Sequence, residues 1–343
     1  MVVAGPCLIY KPYKNPTPKT FMQYTKFGRT GIQTSKVILG TMNFGPHTTE
    51  ADSYAIMDRA LEEGINHFDT ANVYGASKGM GATEEIVGNW FKTSGKRHKL
   101  LLATKCNGDM GDTIGQGGVN ALNIRRSCEA SLRRLKTDYI DLYIMHHIDR
   151  SVQPEEWMQA MEQLVREGKI LYVGSSNFMG WTIAQAMEIQ KGRNFLGLVS
   201  EQHSYNLTTR EAELEVIPAC QAYGLAFTPY GPLSGGMLAG KLAQAKQGRR
   251  SMDWMKNHSK DFLGSMEKYE AFCAKIGQDP AIVGQSWMLH NPLVTAMISG
   301  PRTMAQLEGA LNALDFQLTA EQLVEVEAIF DTPKGAAPES YAW

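Results

Sequence analysis

The sequence predicts a single closed barrel of eight parallel strands, each followed by a helix, with a hairpin ahead of the first strand. Three observations carry this expectation. Short apolar runs rich in Val, Ile, Leu and Phe recur eight times, amphipathic segments lie between them, and no shift of composition divides the 343 residues. Nearly continuous apolar runs suit strands buried on both faces, as in a parallel sheet. Strict alternation with helices argues parallel crossovers. A chain of this length could hold two ordinary domains, but eight units without a boundary favour one (β/α)8 barrel over an open doubly wound sheet.

The elements follow in order. Residues 1–20 are read as an N-terminal extension outside the main fold, disordered or not. Their apolar stretch is cut by Pro6 and followed by Lys11 and Pro12, too short for a secretory core, and no run reaches the ~18 apolar residues of a membrane span. The segment YTKFGRTGIQTSKVILG (24–40) reads as a hairpin with Thr30-Gly31 at its turn, placed to plug the barrel bottom. Strands are expected at Val37–Gly40, Ile65–Asp69, Leu100–Lys105, Ile140–His146, Ile170–Ser176, Phe195–Gln202, Leu225–Tyr230 and Thr295–Gly300. Helices are expected at 50–63, 82–92, 122–135, 154–167, 180–190, 209–223, 265–290 and 303–314. In the fourth of these, Trp157, Met161, Leu164 and Val165 fall at helical spacing, Glu155, Glu156 and Glu162 face elsewhere, and Gly168 supplies the stop. The longest non-periodic stretch is Leu233–Phe262, after the seventh strand, and loops of that length are functional or disordered. The barrel domain is thus expected over 21–332, with 333–343 a C-terminal tail.

Charge narrows the function classes. With 34 basic against 35 acidic residues there is no global basic field, which disfavours nucleic-acid and anionic-membrane partners. Five cysteines, Cys7, Cys106, Cys128, Cys220 and Cys273, are odd in number and hold no C-x-x-C pair. They read as a reduced, cytoplasmic protein without a metal site. The run from Gly235 to Gly240-Lys241 has P-loop spacing, but Leu242 stands where a Ser or Thr must meet the metal, so an ATPase is rejected. The glycine-rich stretch 108–118 reads as a loop over the barrel mouth.

Barrels of this kind carry their chemistry at the C-terminal strand ends. There the sequence offers Asp69, with Tyr74 just beyond it, then Lys105, His146, Ser176-Asn177, Gln202, Tyr230 and Gly300. Asp, Tyr, Lys and His at one mouth suggest proton transfer coupled to an ion pair. A tyrosine starts near pKa 10 and needs help to act as an acid. An ammonium about 4 Å away supplies at most ~4 kcal/mol at an effective dielectric near 20, and it needs a counter-charge, which Asp69 offers.

The motifs FDTANVYG (68–75), ATK (103–105), DLYIMHH (141–147), VGSSN (173–177), SEQ (200–202) and YGPLSGGMLAGK (230–241) resemble the aldo/keto reductase superfamily, over about residues 22–330. The resemblance implies carbonyl reduction with NADPH, bound without a Rossmann motif. By position it implies Tyr74 as general acid, Lys105 as the neighbour that lowers its pKa, Asp69 as the partner of Lys105, and His146, in preference to His147, orienting the carbonyl. It implies Ser176, Asn177 and Gln202 at the nicotinamide carboxamide, Tyr230 stacked on the ring, and Thr41, Met42 and Asp69 also at the cofactor. Gly231, Pro232, Leu233, Ser234, Gly236 and Lys241 would follow the pyrophosphate, and Gly300, Arg302 and Gln306 the adenosine end. There Gly309-Ala310 replaces the Glu-Asn pair common in the family.

The segments LGTMNFG (39–45) and LVSEQHSYNL (198–207) look most like microbial reductases, including those of nucleotide-linked deoxysugars. Trp254 with Arg249 and Arg250 in the long loop either meets an anionic carbonyl substrate or belongs to a solvated loop whose charges keep it soluble. Two other classes stay open: a Schiff-base aldolase using Lys105, and a redox-sensing accessory subunit like those of potassium channels. The expected partner is a small carbonyl compound, and a homo-oligomer is compatible with this reading.

Overall fold

The structure, a computed structural model, describes residues 22–111, 114–240 and 259–338. The extension 1–20, Lys241, Arg249, Arg250 and Trp254 lie outside the described residues.

A short antiparallel hairpin of β1 (Tyr24–Lys26) and β2 (Gln33–Ser35) precedes the barrel. Thr30-Gly31 lies in the turn, which the Phe27 N–H closes by donating to the Ile32 carbonyl at 2.9 Å. Thr30 N–H donates to the Phe27 carbonyl at 3.2 Å, and Gly28 takes φ +56°. A Cβ on Gly28 would lie 2.7–2.9 Å from backbone atoms of Ala226, Gly224 and Val199, so only glycine lets the turn press against the barrel floor. Phe27 fills that floor, buried among Leu101, Ala103, Leu142, Ile144, Val199 and Ala226.

Eight parallel strands follow: β3 (Val37–Gly40), β4 (His67–Asp69), β5 (Leu101–Cys106), β6 (Ile140–Met145), β7 (Ile170–Ser176), β8 (Leu198–Gln202), β9 (Ala226–Phe227) and β10 (Met297–Ser299). They form one sheet in the order β10-β3-β4-β5-β6-β7-β8-β9. Closure comes from Thr295 N–H to the Phe227 carbonyl and Ile298 N–H to the Pro229 carbonyl, both 2.9 Å, with a parallel bridge between Tyr230 and Ile298. The fold is therefore a (β/α)8 barrel.

Several strands are shorter than their apolar runs. β9 stops at Phe227 instead of Tyr230, and Pro229 has no N–H to continue the ladder. β8 starts at Leu198 instead of Phe195, after left-handed Asn194 and Gly197.

The helices are α1 (Glu50–Glu62), α2 (Ala82–Ser94), α3 (Ala121–Leu135), α4 (Pro154–Arg166), α5 (Gly180–Lys191), α6 (Val216–Tyr223), α7 (Lys260–Lys275), α8 (Pro280–Leu289), α9 (Met304–Asn312) and α10 (Ala320–Glu327). The expected helix 265–290 is two, because Gly277 turns left-handed, Asp279 caps the next start and Pro280 opens it. Of the expected 209–223, only the second half is α-helical, after a short 3-10 turn at Glu211–Glu213. α10 is an addition, started by a Thr319–Gln322 capping box. The main core lies between strands and helices, with Phe68, Trp90, Tyr143, Trp157 and Met161 among its members. Among the described residues no helix is long and apolar enough to cross a membrane.

Candidate active site

Strand alternation fixes which residues face the mouth. Asp69 ends β4 opposite Ala103, and Lys105 stands two residues further along β5. Period two therefore turns both side chains to the same side. Lys105 is buried, at 2% exposure. Its ammonium is ion-paired with Asp69 Oδ1, donates to the Thr70 carbonyl at 2.8 Å and reaches Tyr74 Oη at 3.4 Å. Three acceptors thus meet the three N–H bonds of an ammonium. The other Asp69 oxygen accepts from Gln202 Nε2 at 2.7 Å, and the Asp69 carbonyl accepts from the Thr41 N–H and hydroxyl. Burial pushes the Lys105 ammonium down, but the Asp69 carboxylate, with the Tyr74 hydroxyl beside it, outweighs that and holds it above its ordinary value.

Tyr74 closes the turn after β4, its N–H donating to the Ala71 carbonyl at 3.1 Å. Its ring meets His146 edge-on, with centroids 5.8 Å apart at 76°. His146 follows β6, anchored by its N–H to the Cys106 carbonyl at 2.8 Å. Burial, the Lys105 charge and His147 push its imidazole down to about 2, so it is neutral at physiological pH. His147 stacks on it from the outer side at 5.0 Å.

A second group lies beside the first. Ser176 and Gln202 are register partners on β7 and β8, each 1% exposed. Asn177 takes φ +59°. Its amide nitrogen donates to the His146 carbonyl and to Ser176 Oγ, both at 3.0 Å, and its oxygen accepts from the Tyr230 hydroxyl at 2.8 Å.

The third group is built mainly from backbone. Gly231, Ser234, Gly235 and Gly236 all take positive φ, and a Cβ on Gly231 or Gly236 would meet nothing within 4 Å. The conformation requires these glycines, and open space lies over them. Pro232 is buried beneath the turn and Leu233 packs on the core. Asn206 Nδ2 holds the Gly231 carbonyl at 2.9 Å, and Thr208 Oγ1 donates to Ser234 Oγ at 3.0 Å. On the neighbouring strand end, Asn43 Nδ2 donates to the Gly300 carbonyl at 2.7 Å and Thr48 Oγ1 to that of Arg302 at 3.0 Å. Gln306 Oε1 accepts from the Arg302 N–H at 2.8 Å, and Met42 lies partly buried beside Thr41.

The structure thus joins Asp69, Tyr74, Lys105 and Gln202 by hydrogen bonds, with His146 against Tyr74 and Ser176, Asn177 and Tyr230 attached through the His146 carbonyl. Supporting residues that sequence reasoning missed are Asn43, Thr48, Thr70, Asn206 and Thr208. Thr70, Asn43 and Asn206 lie inside the quoted motifs, and Thr48 and Thr208 just beyond one.

The sequence profile of the Aldo/keto reductase family matches residues 36–331. The chain belongs to the aldo/keto reductase family. It is 44% identical over 330 residues to an uncharacterized oxidoreductase, YrpG, of Bacillus subtilis, covering 94% of this chain and 100% of that protein. It is 31% identical over 334 residues to norsolorinic acid reductase stcV of Emericella nidulans, covering 91% of this chain and 83% of that protein. A probable voltage-gated potassium channel subunit beta of rice is 29% identical over 333 residues, 93% of this chain and 100% of that protein. As an aldo/keto reductase, the protein is an oxidoreductase of carbonyl chemistry, in a family that uses a nicotinamide dinucleotide. The mouth of this reductase fits such a group. Buried Ser176 and Gln202 match a carboxamide, Tyr230 an aromatic ring, the open glycine turns a pyrophosphate, and Arg302 an anion.

Proposed function

We propose that this protein reduces aldehyde or ketone carbonyls to alcohols with NADPH, and that Tyr74 gives the proton. The observation that carries the reading is the approach of the Lys105 ammonium to Tyr74 Oη, 3.4 Å, while Asp69 holds that ammonium from the other side. When bound, the reduced nicotinamide supplies the hydride.

Ser176, Asn177 and Gln202 would hold the carboxamide, Ser176 through its hydroxyl and the two amides through their oxygens. Tyr230 would lie on the ring, with Thr41 and Met42 beside it, and Gly231, Pro232, Leu233, Ser234 and Gly236 along the pyrophosphate. Gly300, Arg302 and Gln306 would take the adenosine end, Arg302 its 2′-phosphate. Lys241, which the same reading puts on the pyrophosphate, lies outside the described residues.

As charge builds on the carbonyl oxygen, Tyr74 hands over its proton, and the ammonium beside it stabilises the phenolate that remains. Asp69 and Gln202 keep that ammonium in place. His146, neutral through burial, donates a ring N–H to the carbonyl oxygen and does not compete as an acid.

The aldolase reading needs a neutral amine at Lys105. An ammonium held above its ordinary value, with three acceptors around it, supports the reductase instead. For the substrate, a nucleotide-linked keto sugar is the narrower proposal, resting on Arg249 and Arg250 outside the described residues. Norsolorinic acid belongs in the same panel because of the fungal relative. The test follows the loss of reduced-nicotinamide absorbance with a panel of aldehydes and ketones. Carbonyl-dependent loss that vanishes in Tyr74→Phe supports the proposal. NADPH binding without turnover on any carbonyl would favour an accessory, redox-sensing role.

A further inference from the structure

Glu201 directly precedes Gln202 on β8, so its side chain points away from the mouth, behind the wall formed by Ser176, Asn177 and Gln202. It is completely buried. A hydroxyl, a backbone N–H and an imidazole meet its carboxylate. Ser175 Oγ donates to Oε2, Phe178 N–H donates to Oε1 at 3.0 Å, and His203 Nδ1 lies 3.3 Å from Oε1. Burial pushes this carboxyl above its ordinary range. An aliphatic side chain would fill the same space without that cost. The carboxylate therefore calls for a reason other than packing.

The reason lies in what its partners flank. Ser175 and Phe178 bracket Ser176-Asn177, and Asn177 holds the left-handed conformation, which after glycine asparagine enters most readily. Two contacts fix that turn from β8. The Asn177 N–H donates to the Gln202 carbonyl at 2.9 Å, and the next N–H, that of Phe178, donates to Glu201. So fixed, the Asn177 amide spans the His146 carbonyl, Ser176 Oγ and the Tyr230 hydroxyl, three separate parts of the mouth.

We propose that Glu201 is a positioning residue: it pins the left-handed turn at Asn177 and so sets the side chains that would receive the nicotinamide carboxamide. The proposal rests on the cofactor reading above and adds a residue behind it. Losing Glu201 frees the Phe178 N–H and leaves the Ser175 hydroxyl only the Ser200 carbonyl at 3.4 Å, and the turn relaxes. Asn177, Ser176 and Tyr230 then lose their common orientation, while the Gly300–Arg302 edge keeps its own supports, Asn43 and Thr48.

The experiment is calorimetric titration of the full-length chain with NADP+ and, separately, with adenosine 2′,5′-bisphosphate, which carries only the adenosine half. Glu201→Leu is expected to lower NADP+ affinity about tenfold or more and to leave adenosine 2′,5′-bisphosphate within about twofold. Glu201→Gln is expected to restore most of the loss, because its amide oxygen can accept from Phe178 while its amide nitrogen donates to Ser175 Oγ. Ser175→Ala, a change that keeps the packing, is expected to lower NADP+ affinity about threefold with the same selectivity, so a Leu variant that does not fold leaves the idea testable. Unchanged NADP+ binding in Glu201→Leu, equal loss of both ligands, or unchanged binding in Ser175→Ala would overturn the positioning role. A wild-type chain that binds no NADP+ overturns the cofactor reading itself.

Discussion

Around β4, β5 and β8 the mouth is made of buried charges and side-chain hydrogen bonds. Lys105, Asp69 and Gln202 are each at most 2% exposed, and each has a named partner. Around β9 and β10 it is made of turns: left-handed Gly231, Ser234, Gly235 and Gly236 on one side, and the carbonyls of Gly300 and Arg302 held by Asn43 and Thr48 on the other. The two constructions tolerate damage differently. Removing one member of a buried ion pair leaves an uncompensated charge, costing about 3–5 kcal/mol, whereas losing one neutral hydrogen bond costs about 1 kcal/mol. The catalytic side should fail all at once, and the adenosine side by degrees.

The largest expected effects test the first half of that contrast. Tyr74→Phe should lower kcat by roughly 10²–10⁴ while NADPH affinity and stability hold, since on the proposed reading only the proton donor is lost. Lys105→Met should be at least as severe in kcat and should also lower stability by about 3–5 kcal/mol, because Asp69 stays buried without its cation. Steady-state kinetics with urea unfolding separates the two. A Lys105→Met protein as stable as wild type would break the comparison, showing that Asp69 relaxes out of its site.

Acid should expose the same rigidity. Burial first, and then the Lys105 charge, hold His67 at about 3 and His146 at about 2, against an ordinary 6.5. As pH falls below about 6.5 the unfolded chain takes up protons that the folded one refuses, so stability is lost progressively down to those folded values. At pH 5 each histidine accounts for about 2 kcal/mol of loss relative to pH 7. Urea unfolding of His67→Leu at both pH values should show a drop smaller than wild type by about that amount. An equal drop would mean that His67 is protonated in the folded barrel.

How much of this was legible in the sequence depends on how far each signal reaches. The run Val37–Gly40 was legible because burial on both faces leaves an unbroken apolar stretch, and it appears with the expected bounds, as does Ile170–Ser176, in which only part of the strand is buried. The break between α7 and α8 was also written locally, in Gly277, Asp279 and Pro280, but helical spacing on either side outweighed it. Asp69, Tyr74, Lys105 and His146 stood out because charged or titratable residues ending apolar strands have few structural uses. Asn43 and Thr48 did not, since their partners lie 257 and 254 residues away. Glu201 in an apolar strand shows its role only once the β7–β8 register brings Ser175 and the turn at Asn177 against it.

On the adenosine side the expected effects shrink. Arg302 is partly buried at the start of the turn leading into α9, and a charge-assisted bond to a 2′-phosphate contributes about 1.5–3 kcal/mol. Arg302→Ala should therefore weaken NADPH about tenfold or more and leave NADH nearly unchanged. Equal affinity of the wild type for both cofactors would remove the phosphate role.

The smallest effect sharpens the comparison most. Thr48 is buried, and its hydroxyl supports the backbone of Arg302 without any charge of its own. Thr48→Val keeps the shape and deletes one neutral hydrogen bond, about 1 kcal/mol, which corresponds to about fivefold in NADPH affinity if the bond serves only to aim Arg302. NADH affinity and kcat at saturating NADPH should stay at wild-type values, because Tyr74, Lys105 and His146 make none of their contacts through Thr48. A Thr48→Val loss as large as that of Arg302→Ala would mean that the turn, and not the guanidinium, carries the selectivity, and that this edge is as all-or-none as the catalytic one. A graded loss, confined to NADPH, is what a site held by single neutral bonds should give.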